Sequence, residues 1–97
     1  MNLSIVVPVY NEEKNLPELY ERIEAAMLPL GYPWNVTFVD DGSRDKSLEV
    51  LKSLQSANPD KVRVVEFRRN HGQTAAISAG IDYSKGDIVI LMDADLQ

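Results

Sequence analysis

Two aspartates two residues apart, Asp93 and Asp95, stand in Asp93-Ala94-Asp95-Leu96-Gln97, directly after the apolar run Ile88 to Met92. In an extended chain, side chains at i and i+2 leave the same face, so both carboxylates can share one hard cation. Oxygen ligands favour Mg2+ or Mn2+ over zinc, and with no Cys in the chain any metal must use oxygen or the single His71. Asp-x-Asp also occurs in solvated acidic turns. Its place at the end of an apolar strand weighs toward a cation, because carboxylates buried there are costly unless a cation or donors satisfy them. A second pair, Asp40-Asp41, precedes Gly42-Ser43. Asp41 can accept a nucleobase N–H or hold a ribose hydroxyl; alternatively the pair shapes the turn ahead of Asp45. Arg68 and Arg69 can meet a diphosphate or stand solvated. His71, in Asn70-His71-Gly72-Gln73, has no partner in the sequence that would make it a base. Neither the P-loop pattern nor the dinucleotide fingerprint occurs.

These groups need elements to hold them, and the apolar pattern supplies alternating strands and helices. Leu3 to Val9, interrupted only by Ser4 and Pro8, reads as a strand buried on both faces. From Glu12 to about Leu28, apolar Leu16, Leu19, Tyr20, Ile23, Ala26 and Met27 recur at helical spacing. Pro17 falls early in this helix, and Pro29, Gly31 and Pro33 end it. Trp34 to Val39 is the second strand. Asp40 to Ser43 forms a turn that also supplies an N-cap for a helix around Asp45 to Gln55, whose buried face carries Leu48, Leu51 and Leu54. Val62 to Phe67 is the third strand, Gln73 to Tyr83 a small-residue helix, and Asp87 to Met92 the fourth strand. The order βαβαβαβ requires parallel strands, so the fold class is a doubly wound α/β sheet with ligands at the carboxyl ends of its strands. Tyr10, Asn11 and Glu12, then Asp40 and Asp41, then Arg68 to Asn70, then Asp93 and Asp95 converge on that rim.

Composition narrows the classes. The 97 residues allow one domain at most. Ten Lys and Arg against fifteen Asp and Glu leave a net charge of −5, which argues against nucleic acid as a partner. The longest apolar runs fall far short of the ~20 residues of a membrane helix, so a cytoplasmic location is expected.

In order along the chain, Ile5-Val6-Val7-Pro8-Val9-Tyr10-Asn11-Glu12-Glu13, Val39-Asp40-Asp41-Gly42-Ser43, Arg69-Asn70-His71-Gly72-Gln73 with Ala75-Ala76, and Asp93-Ala94-Asp95-Leu96-Gln97 resemble family 2 glycosyltransferases of the GT-A fold. The last two segments most resemble the polyprenyl-phosphate branch, the dolichyl- and undecaprenyl-phosphate sugar transferases. The resemblance implies strand order 3-2-1-4 and a nucleotide pocket lined by Pro8, Tyr10, Glu12, Asp41, Gln73 and Asp93. It implies a Mg2+ or Mn2+ site at Asp93 and Asp95, with Gln97 as a further ligand. Its donor would be a UDP- or GDP-sugar and its acceptor a polyprenyl phosphate, with inversion at the anomeric carbon. A phosphate acceptor is already an anion and needs no strong base, and the sequence assigns none. Such catalytic domains are about twice this length, so residues 1–97 are expected to be the N-terminal donor-binding part of a truncated domain, inactive alone. The full-length protein would meet the membrane at its cytoplasmic face. Strand four, at a sheet edge in that order, is expected to pair with another copy. The rival reading is a non-catalytic receiver-like module that binds a nucleotide or cation.

Overall fold

The structure, a computed structural model, describes residues 1–84 and 86–94. Among the described residues four strands and three helices alternate: β1 (Leu3–Val9), α1 (Leu16–Met27), β2 (Trp34–Asp41), α2 (Ser47–Ala57), β3 (Val62–Phe67), α3 (Gln73–Tyr83) and β4 (Ile88–Leu91). One 3-10 turn, Leu28–Leu30, follows α1 and ends at Gly31. The sheet is parallel, as the α/β reading requires, and its order is β3-β2-β1-β4, as the family resemblance implies.

Strand alternation divides the core between the two faces of the sheet. Leu3, Ile5, Val7 and Val9 of β1 and Trp34, Val36 and Phe38 of β2 pack with Leu16, Leu19, Tyr20, Ile23 and Met27 of α1 and Leu51 of α2. On the opposite face α3 lies across β1 and β2. Small residues make that approach possible: a Cβ on Gly80 would overlap Val6 Cγ1 and crowd Val39.

Several boundaries shift from those read in the sequence. The first helix begins at Leu16 rather than Glu12, because residues 13–15 form a turn and Pro17 then occupies the first turn of the helix, where no N–H is required. Ala26, expected in the buried stripe, is exposed. The second helix runs from Ser47 rather than Asp45, and none of Asp40 to Ser43 caps it. Asp45 does so from outside, its Oδ1 accepting the Ser47 N–H at 2.9 Å. Of its three leucines only Leu51 is fully buried, with Leu48 and Leu54 half-buried. β2 continues through Asp41, and β4 spans only Ile88 to Leu91. The fourth strand is also not a buried one. Ile88, Val89 and Leu91 are 45%, 38% and 54% exposed, since β1 is its neighbour on one side and no strand lies on the other among the described residues.

Candidate functional site

Each parallel strand delivers its following loop to the same end of the sheet, so the rim is assembled from the β1–α1 loop, the β2–α2 loop, the β3–α3 loop and the residues after β4. These loops enclose a cleft of about 410 Å3 lined by Pro8, Val9, Tyr10, Glu12, Asp41, Asn70, Gly72, Gln73, Asp93 and Ala94. All six residues assigned to the nucleotide pocket therefore share one cleft. Of the three expected metal ligands, Asp93 is there, exposed; Asp95 and Gln97 lie outside the described residues. Arg68, Arg69 and His71 do not line it.

The two adjacent aspartates at the end of β2 face opposite sides of the sheet and have different surroundings. Asp41 was expected on an exposed rim, but it is 3% exposed and its carboxylate is already engaged. Oδ1 accepts the His71 N–H at 2.7 Å, and Oδ2 accepts the Gly72 N–H and the Asn70 Nδ2 group, each at 3.0 Å. The side chain thus holds the start of α3 and its preceding loop while its edge still contributes to the cleft. Burial of this kind follows from extending β2 by two residues, which the turn-forming composition of Asp40 to Ser43 concealed.

Asp40 points toward the α1 and α2 side, where it is 2% exposed and its Oδ1 has no partner. Burial pushes its carboxyl above the ordinary aspartate range, the Ser43 hydroxyl and amide pull it partway back, and the charges of Glu66 and Asp45 push it further up. For Asp45 burial also acts upward, but donors from the Ser47 side chain and backbone and from the Glu13 amide outweigh it, leaving the carboxyl lowered.

Close backbone approach fixes the third loop against the second. Gly42, with φ 71°, has no room for a side chain: a Cβ would land on the backbone of Arg69 and Asn70. Asn70, read from the sequence as a rim residue, and Gly72 both line the cleft, although neither was assigned to the nucleotide pocket. The signal available was their position immediately before α3, where backbone amides point outward from a helix start.

The cleft carries Glu12, Asp41 and Asp93 and, among the described residues that line it, no Lys or Arg. Such a site repels a diphosphate unless a cation lies between. The described residues hold no group of three or more His, Asp or Glu placed to bind a metal by themselves, so Asp93 fits as one ligand and not as a complete site. Tyr10, 42% exposed at the mouth, offers an aromatic surface of the kind on which bases stack.

Residues 4–97 match the model of the family described as glycosyl transferase family 2. The chain is 53% identical over 95 residues to the undecaprenyl-phosphate 4-deoxy-4-formamido-L-arabinose transferase of Pseudomonas aeruginosa, covering 98% of this chain and 28% of that protein. With the enzyme of the same name from Pectobacterium atrosepticum it shares 49% identity over 96 residues, covering 99% and 29%. The chain thus spans less than a third of the length of these relatives. Among solved structures, the mannosyltransferase PcManGT from Pyrobaculum calidifontis in complex with GDP-Man and Mn2+ superposes with a TM-score of 0.83 at 27% identity, covering 96% of this chain and 27% of that one. S. aureus TarS 1-349 in complex with UDP-GlcNAc also gives a TM-score of 0.83 at 27% identity, covering 98% and 27%.

Proposed function

The chain belongs to glycosyl transferase family 2, and from that premise we propose that its cleft binds the nucleoside diphosphate of a sugar donor, for transfer by the whole protein to a polyprenyl phosphate. The observation that carries the reading is the meeting of Pro8, Tyr10, Glu12, Asp41, Gln73 and Asp93, from loops far apart in the chain, on one 410 Å3 cleft. The rival receiver-like reading gives way to the family membership.

In this reading Pro8 and Tyr10 form the wall against the base, and Asp41 keeps the Asn70–Gly72 loop in place beside it. Asp93, with Asp95 and Gln97, would hold a divalent cation, Mg2+ or Mn2+. The cation supplies Lewis acidity that stabilises charge on the departing diphosphate. Support comes from the Mn2+ and GDP-Man in one structural neighbour and the UDP-GlcNAc in another. The acceptor assignment rests on the names of the bacterial relatives, whose acceptor is undecaprenyl phosphate. A lipid acceptor would bring the whole protein to a membrane surface, and we place it on the cytoplasmic side. Among the described residues no helix is long and apolar enough to cross a membrane.

Calorimetric titration with UDP and GDP, each with and without Mn2+, tests the reading. Binding should strengthen about tenfold or more with the cation, a difference of ~1.4 kcal/mol. The donor-cleft reading fails if neither nucleotide binds more tightly with Mn2+. The metal assignment fails if Asp93→Ala leaves the enhancement unchanged.

A further inference from the structure

Asn11 stands between two cleft residues, Tyr10 and Glu12, yet it does not line the cleft. It lines a smaller pocket of about 250 Å3, which shares Glu12 with the cleft, beside Glu13, Asn15 and Asp45. Its φ of 54° is the one positive value at a non-glycine residue among the described residues, a conformation that Asn tolerates better than most side chains do. From there Asn11 grips the β2–α2 loop in both directions. Its N–H donates to Ser43 Oγ at 2.9 Å, while its Oδ1 accepts the Arg44 N–H at 2.8 Å and the Asp45 N–H at 3.4 Å. The next two amides continue the seam, Glu12 N–H donating to Ser47 Oγ at 2.9 Å and Glu13 N–H to Asp45 Oδ2 at 3.3 Å. Ser47 is fully buried at the start of α2, so the seam is tied to a fixed element.

We infer that Asn11 is a positioning residue of the donor cleft: it locks the β1–α1 loop to the β2–α2 loop and thereby holds Tyr10 and Glu12 at the cleft without touching a ligand itself. The consequence for binding rests on the nucleotide reading above; the locking of the loops does not. Ordering a loop residue costs conformational entropy. A side chain that orders the loop beforehand removes that cost from the binding step. Turning the backbone through the left-handed region at Asn11 sends this one side chain to the neighbouring loop while both flanking residues stay on the cleft.

Three variants of the 97-residue chain separate the contributions. Asn11→Asp keeps an acceptor oxygen, Asn11→Gly keeps the left-handed backbone but removes the acceptor, and Asn11→Ala removes both advantages. The first readout needs no ligand: amide hydrogen exchange at Arg44, Glu12 and Glu13 measured by NMR. Asn11→Gly should lower protection about tenfold at these amides and Asn11→Asp should restore it; unchanged protection in Asn11→Gly overturns the proposal. The second is titration with GDP and UDP in the presence of Mn2+. Affinity should fall about tenfold in Asn11→Gly and further in Asn11→Ala, with recovery in Asn11→Asp. Wild-type affinity in Asn11→Gly, or equal losses in the Gly and Asp variants, overturns it. Should the wild-type chain bind neither nucleotide, the nucleotide reading falls while the exchange data still decide the loop lock. If Asn11→Gly does not fold, Ser43→Ala, which removes the acceptor of the Asn11 N–H, takes its place in both measurements.

Discussion

The His71 backbone N–H donates to Asp41 Oδ1 at 2.7 Å, joining residues thirty positions apart and fixing the β3–α3 loop to the end of β2. Gly72 N–H and Asn70 Nδ2 complete the set on Oδ2. One carboxylate therefore supports the loop that brings Asn70, Gly72 and Gln73 to the cleft.

Asp41→Ala should cost about 2–3 kcal/mol of stability, because it leaves two backbone amides and one side-chain amide without their charged acceptor. Nucleotide affinity should fall along with it. Asp41→Asn, which keeps one acceptor oxygen, should lose less of both. Chemical denaturation beside calorimetry checks this, and an Ala variant of wild-type stability would show that water replaces the carboxylate.

Gly42 and Gly31 offer a matched pair, since both have positive φ, 71° and 73°, but only Gly42 is packed against other backbone. Gly31→Ala should cost about 1 kcal/mol, from the left-handed conformation alone. Gly42→Ala should cost more, about 2–4 kcal/mol, because the β3–α3 loop must also move. Equal melting temperatures for the two variants would remove the close approach as a contributor.

Asp40 should make the chain less stable as pH rises through the acid range. Its carboxyl in the folded state lies above its ordinary value, so the folded form binds the proton more readily than the unfolded one. That contribution is fully present below the ordinary aspartate pKa and is lost as pH rises through the raised folded value. Asp40→Asn should therefore raise Tm at pH 7 by a few degrees, an effect of ~1 kcal/mol at this chain length, with the difference from wild type shrinking below pH 4, near the ordinary aspartate pKa. A lower Tm for the variant at pH 7 would show that the Ser43 interaction outweighs burial.

The 97-residue chain should bind donor nucleotide but transfer no sugar, since it spans 28% of its P. aeruginosa relative and correct placement of the acceptor supplies much of the rate in such reactions. An assay with a nucleotide sugar and polyprenyl phosphate measures this. Turnover above background would overturn the expectation; slow hydrolysis of the donor would not.

The outer side of β4 should mediate self-association of this chain. Ile88, Val89 and Leu91 are exposed beside backbone groups that no described strand pairs, and such an edge templates pairing with another copy. Sedimentation should show mass increasing with concentration, and Leu91→Lys should suppress it. A monodisperse monomer at high concentration would count against the edge.

The order of elements was legible in the sequence because burial leaves a periodic trace. The run Leu3 to Val9, the spacing of Leu16, Leu19, Ile23 and Met27, and the small residues of α3 each report a local surface that must be covered. Strand order and the cleft residues were legible through resemblance to a family, whose motifs mark the ends of the strands. What the tertiary structure alone decided were the roles of Asp40, Asp41 and Asn11. All three read as turn or rim residues, since Asp and Asn favour turns wherever they occur. The partners of two of them, Ser43 and Arg44 for Asn11 and His71 and Gly72 for Asp41, lie about thirty residues away and leave no periodic signal. A hydrogen bond between loops depends on where two strand ends are brought together, and only the packed sheet fixes that.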